Sequence, residues 1–237
     1  GAGFSAAAWD GAPGGHSRHA AMCYMTSQVE PGVTCPMVMT YAAVPALAAA
    51  PGLARDWVPK LTARAYDTAR APVTEKRAAT LGMAMTEKQG GSDVRANSTM
   101  ATPDGDAYRL RGHKWFCSAP MSDGFLTLAQ APGGLTCFLV PRWLPAGTRN
   151  RFAIQRLKDK LGTRSMATGE IEFDGALAEA IGPADQGFKN LVGIVLDTSR
   201  VHNAVSACAA MRRAVLDTVP ASMLGIDYLL LNDTATT

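Results

Sequence analysis

The 237-residue chain contains no CxxC pair, no P-loop, no GxGxxG turn, no long run of like charges and no unbroken apolar stretch of membrane-spanning length. Each absence narrows the field. Without paired spacing, the five cysteines (Cys23, Cys35, Cys117, Cys137, Cys208) point to neither a zinc site nor a redox dithiol. They read as reduced thiols of a cytoplasmic protein. With a net charge of +3 and no charge blocks, charge alone gives no case for nucleic acid. The long uncharged stretch from Pro31 to Ala54 is interrupted by Pro36, Pro45, Pro51, Thr40 and Tyr41. A membrane helix wants about 20 continuous apolar residues, so this stretch predicts buried, proline-bounded helices and no membrane partner. No signal peptide is visible, and because the chain begins at Gly1 its first residue need not be a natural start. His16 and His19 have a spacing that can hold metal on a helix, but they stand beside Gly14 and Gly15 with no further ligands, and no metal site is expected.

What is present is a globular composition, 47% apolar and 18% charged, long enough to bury a core. Residues 1–75 read as an Ala- and Met-rich helical segment broken at Pro13-Gly14, Pro31-Gly32 and Pro51-Gly52, with Leu53, Trp57, Leu61 and Tyr66 near helical spacing. Over 76–183 the pattern changes to short strands: 80–86, 98–102, 107–111, 125–130, 135–140, 152–157 and 169–173. Turns at Pro103-Asp104-Gly105-Asp106 and Pro132-Gly133-Gly134 make two of the connections hairpins. Helical spacing returns in 184–237, with one long helix expected from about Gln186 to Val215. The fold class is therefore α+β: a helical N-terminal segment, a central antiparallel β-barrel or sandwich, and a C-terminal helix.

Two segments carry chemistry. Met83-Ala84-Met85-Thr86-Glu87-Lys88-Gln89-Gly90-Gly91-Ser92 places a hydroxyl at a strand end, then two glycines that let backbone N–H groups approach a polar or anionic ligand, then a second hydroxyl. Alone, this equally describes a Gly-Gly turn joining two strands. Trp115-Phe116-Cys117-Ser118 offers a flat apolar surface, and in a strand Phe116 and Ser118 face the same side. That suits a flat heteroaromatic ring; it also suits aromatic residues filling a barrel.

Taken together, MTEKQGGSD and GHKWFCS resemble the flavin-contacting β-domain of the acyl-CoA dehydrogenase superfamily, and most closely its AidB branch, flavoproteins linked to the adaptive response to alkylation. The family usually has TEP where this chain has Thr86-Glu87-Lys88, and W-[IV]-T/S where it has Phe116-Cys117-Ser118. Lys158-Asp159-Lys160-Leu161-Gly162-Thr163-Arg164-Ser165 resembles the family's K-x-G-x-R-S stretch, Gly182 to Gly187 its entry to the next helix, and Cys35-Pro36 through Pro45 the branch's CPxxMT-AA-P helix. The resemblance runs from about residue 15 to about residue 215.

The resemblance implies FAD as cofactor, held by residues 83–92 and 116–118. Thr86 would lie at the flavin ring, Ser92 at the pyrophosphate and Ser118 near the flavin N5 region. It further implies an acyl-CoA substrate undergoing α,β-dehydrogenation and a homo-oligomer, a tetramer in the family. The alternative within the branch is a DNA-associated protection protein with little dehydrogenase turnover. After Met211-Arg212-Arg213-Ala214 the pattern departs from the family, whose following four-helix domain carries the catalytic carboxylate, FAD contacts across a subunit interface and the branch's DNA-binding surface. The chain thus reads as truncated and without useful turnover. No catalytic residue is assigned; Asp197, Asp217 and Asp227 read as solvated or capping carboxylates.

Overall fold

The computed structural model describes residues 3–219. Three helices open the chain: α1 (Gly15–Ser27), α2 (Pro31–Leu47) and α3 (Pro51–Leu61). Pro31 and Pro51 begin helices, where their missing N–H groups cost nothing. Pro36 and Pro45 lie inside α2 without breaking it, and the interruption falls at Ala48–Ala50, just ahead of the expected break at Pro51-Gly52. No helix among the described residues is long and apolar enough to cross a membrane.

Seven strands follow: β1 (Leu81–Ala84), β2 (Met100–Asp104), β3 (Ala107–Ser118), β4 (Gly124–Ala131), β5 (Gly134–Pro141), β6 (Phe152–Leu157) and β7 (Thr168–Ile181). Their pairing closes a ring, β3 to β7 to β5 to β4 to β1 and back to β3, with β2 added beside β3 and β6 beside β7. Most pairs are antiparallel, but β1 runs parallel to β4, from Leu81↔Gly124 to Ala84↔Thr127. A Cβ on Gly82 would lie 2.5 Å from the Ser118 carbonyl oxygen, so glycine is what lets β1 and β3 come together here.

Two apolar cores result. Inside the barrel are Ala84, Leu110, Cys117, Phe125, Phe138, Phe173 and their neighbours. Outside it, Leu126, Leu128, Cys137 and Leu139 pack against Tyr41, Leu47, Leu53, Trp57 and Leu61 of the N-terminal helices. Strands β4 and β5 are therefore buried on both faces and read as continuous apolar runs. Thr40 fastens α2 to the barrel: its Oγ1 accepts the Leu81 N–H at 3.2 Å.

After β7 the chain is helical over 187–218, as α4 (Gly187–Asn190), a π-helical stretch Leu191–Leu196 and α5 (Asp197–Thr218). The two histidines of α1 belong to its packing. His16 Nδ1 lies 2.6 Å from the Tyr41 hydroxyl, and His19 donates from Nδ1 to the Phe4 carbonyl at 2.7 Å.

Candidate flavin site

The two sequence segments meet. Antiparallel pairing joins Met83 to Ser118 and Ala84 to Cys117, and beyond β1 the Trp115 N–H donates to the Thr86 carbonyl at 2.8 Å. Ala84 and Cys117 point into the barrel, where burial pushes the Cys117 thiol far up from its ordinary value. Met83 and Met85 pack on the helix-side core. Those four side chains support the site from beneath.

Facing outward are the groups a ligand would meet. The hydroxyls of Thr86, Ser92 and Ser118 have no hydrogen-bond partner among the described residues. The N–H groups of Gly91, Ser92 and Asp93 have none either. Gly90, at φ 137, turns the chain so that Lys88, Gln89, Gly91 and Ser92 stand exposed. Consecutive free N–H groups in such a loop are an anion-binding arrangement. These donors fit a cofactor carrying both a pyrophosphate and a polar ring edge.

The aromatic surface beside them has a specific cause. Register slips between Lys114↔Ile171 and Cys117↔Gly169, so β3 carries one extra residue over Trp115-Phe116. This bulge breaks alternation and leaves Phe116 43% exposed while Cys117 stays buried. Trp115 is covered: the Lys158 ammonium lies 3.2 Å from its ring centroid and 4.8 Å from that of Phe116. Glu170 fixes that cation at 2.5 Å and holds Arg156 at 2.7 Å. Phe116 is thus the open ring.

Glu87 behaves differently from its neighbours in the loop. Its carboxylate is turned inward, 2% exposed, and meets Lys114 Nζ at 2.7 Å. The Ser98 and Thr99 N–H groups donate to it at 2.6 and 3.0 Å, and their hydroxyls at 2.8 and 2.6 Å. Among the expected contact residues, its side chain is therefore committed elsewhere, and only its backbone faces the loop. Burial works against the Glu87 charge, but Lys114, Thr99 and Ser98 outweigh it and hold the carboxyl at about 2, below its ordinary 4.5. Burial also pulls Lys114 down to about 8, against the opposing pull of Glu87.

A carboxyl that binds its proton less readily when folded contributes stability that is complete above its unfolded value and lost as pH falls through the folded one. Urea-unfolding free energy should accordingly fall as pH drops from about 4.5 toward about 2. Glu87→Gln should flatten that part of the slope; an unchanged slope would remove Glu87 as its source.

Beside this pair is a depression of about 460 Å³ lined by Glu87, Lys88, Gln89, Ser98, His113 and Glu172. Its floor is polar, with His113 Nδ1 3.8 Å from a Glu172 oxygen.

Residues 1–68 match the family described as adaptive response protein AidB N-terminal domain, and residues 82–176 match the acyl-CoA dehydrogenase middle domain. The chain belongs to the acyl-CoA dehydrogenase superfamily, on its AidB-like branch. Over 212 residues, 87% of this chain, it is 46% identical to the putative acyl-CoA dehydrogenase AidB of Escherichia coli K12. The chain spans 39% of that relative's length. The structure of Caenorhabditis elegans ACDH-11 in complex with C11-CoA superposes with a TM-score of 0.78 at 34% identity, covering 90% of this chain and 38% of that one. A Mycobacterium smegmatis glutaryl-CoA dehydrogenase in complex with FADH2 shares the fold, with a TM-score of 0.69 at 20% identity over 85% of this chain and 49% of that one.

The loop 158–165 is tied down at both ends: Lys160 Nζ donates to the Met166 carbonyl at 2.6 Å, and Ser165 Oγ donates to Glu30 of the α2 cap at 2.7 Å. Asp197 pairs with Arg200 and Asp217 with Arg213, both on the surface of α5; Asp227 lies outside the described residues. Sequence reasoning missed Lys114 and Lys158 as site components. Neither had a signal in the residues: β3 also carries Arg109, Arg111 and His113, so nothing in its sequence singles out Lys114.

Proposed function

We propose that this chain binds FAD across residues 83–92 and 116–118, as the cofactor-holding part of an AidB-like flavoprotein. The observation that carries the reading is the set of unspent donors (the Thr86, Ser92 and Ser118 hydroxyls and the Gly91–Asp93 N–H groups) gathered beside an exposed Phe116. Ser92 and the adjacent N–H groups would take the pyrophosphate, Thr86 and Ser118 the ring edge, and Phe116 the ring face. When bound, FAD supplies a two-electron acceptor for hydride leaving the β-carbon of an acyl-CoA. The chain's own residues orient the ring and shield one side of it. FADH2 in the M. smegmatis relative and C11-CoA in the C. elegans relative support the cofactor and substrate class.

Of the carboxylates near the loop, Glu87 is engaged by Lys114, while Asp93 stands exposed beside Ser92, where the pyrophosphate would lie, and so is not placed as a proton-abstracting base at the ring. Abstraction of a substrate α-proton needs such a group within hydrogen-bond reach. The 237-residue chain alone is therefore expected to carry flavin yet turn over acyl-CoA poorly. Purified protein should show a flavin absorbance spectrum, and anaerobic mixing with several acyl-CoAs should leave it largely unbleached. A colourless protein that takes up no added FAD would sink the cofactor reading; rapid bleaching would sink the second statement.

The match over residues 1–68 favours a second reading, an AidB-like protein associated with DNA protection after alkylation damage. A salt-dependent affinity for duplex DNA without flavin bleaching would support it. The same reading carries a cytoplasmic setting and a homotetrameric assembly. Exposed Val201, Met211 and Val215 on α5 support self-association.

A further inference from the structure

The loop that would hold the cofactor has little apolar packing of its own. Between Met85 and Thr99 the one buried hydrophobic side chain is Val94. What holds the loop is polar. Glu87 gathers donors from Ser98 and Thr99 at the loop's far end and from Lys114 in β3, and Lys114 donates a second bond to the Leu128 carbonyl of β4 at 2.8 Å. Asn97 repeats the closure, donating from Nδ2 to the Met85 carbonyl at 3.1 Å and accepting from Gln89 Nε2 at 3.3 Å. Directly after Glu87 comes the turn closed by the Gly90 N–H on the Glu87 carbonyl at 3.1 Å, and directly after that turn come the free N–H groups of Gly91, Ser92 and Asp93.

We propose that Glu87 and Lys114 are positioning residues for the cofactor loop, their buried contact setting the 87–90 turn and thereby the direction of the donors that follow it. The inference rests on the flavin reading above. A buried ion pair is a poor device for raw stability, because well-packed apolar groups of similar volume often match or exceed it. Its distinctive property is geometric. A carboxylate that accepts from five donors on two segments admits one placement of the backbone that carries it, whereas an apolar side chain admits several.

The test separates positioning from stability. Glu87→Gln, Lys114→Met and the double variant Glu87→Gln/Lys114→Met are compared for urea-unfolding midpoint, for FAD dissociation constant in the full chain, and for the fine structure of the visible flavin band. The double variant, with no uncompensated charge, is expected to recover most of the midpoint lost by Lys114→Met. It should still bind FAD at least about tenfold more weakly, with a blurred band. A double variant of recovered stability with unchanged FAD affinity and band shape overturns the proposal. Should the double variant fail to fold, Glu87→Asp carries the test: the charge is kept on a shorter stem, and unchanged FAD affinity in that folded protein overturns the proposal equally. If wild type binds no FAD, the flavin reading itself has failed; if wild type binds it and only these variants are silent, this inference alone has.

Discussion

Changing Thr86 and Ser92 together to alanine is expected to weaken FAD binding by about 2–4 kcal/mol, roughly thirty- to a thousand-fold. The larger share comes from Ser92, whose hydroxyl would donate to an ionised phosphate; bonds to charged groups are worth about 1.5–3 kcal/mol against about 0.5–1.5 for neutral pairs. Neither hydroxyl has a partner within the described chain, so their removal leaves no donor stranded and should barely move unfolding stability. That contrast makes the measurement clean. Fluorescence titration of the double variant beside its urea curve should show a large loss in the first and almost none in the second. An FAD affinity equal to wild type would place the cofactor elsewhere.

A comparably large effect, on stability this time, should follow Trp57→Ala. Trp57 is 3% exposed and forms one apolar stripe of α3 with Leu53 and Leu61. Its indole reaches the barrel so closely that a Cβ on Gly124 would stand 2.8 Å from its Cη2 atom. Truncating a buried tryptophan costs about 3–5 kcal/mol, the lost burial plus the cavity left behind. Because α2, α3, β4 and β5 share one apolar core, the loss should appear as a single shifted transition in both far-ultraviolet ellipticity and tryptophan fluorescence. A loss below about 1 kcal/mol, or helices melting apart from the barrel, would show that residues 1–75 and 76–183 behave as independent units.

How much of this was legible in the residues varies by element, for physical reasons. β4, β5 and β6 were read within a residue or so because their apolar runs are bounded by tight turns such as Ala131 to Gly134. β3 and β7 were read far too short, at 107–111 and 169–173 against Ala107–Ser118 and Thr168–Ile181. Both are irregular: register slips after Leu110 and after Lys114 break the two-residue alternation on which a strand reading depends. The expected breaks at Pro31-Gly32 and Pro51-Gly52 fall where α2 and α3 begin, and tertiary burial of Tyr41, Ala42, Ala43 and Leu47 keeps α2 whole across its internal Pro36 and Pro45. At the site, the hydroxyls and glycines were legible because each side chain announces its own chemistry. The inward turn of Glu87 was not, since it depends on Ser98, Thr99 and Lys114, which only the folded chain brings to it.

The position of β7 has a consequence for how such a chain is made. Strand β7 pairs with β3, β5 and β6, and so closes the ring, yet of the seven described strands it is the last to leave the ribosome. Residues 83–92 and 116–118 emerge well before it, and until Ile181 is out β3 lacks its long partner and the bulge that exposes Phe116 has no opposing strand to define it. Nascent chains at that stage present open strand edges, the state in which holdase chaperones are needed and strands from neighbouring chains can be captured instead. On the proposed flavin reading, cofactor capture would accordingly follow barrel closure, and cofactor shortage would be felt by a finished scaffold and not by a folding one.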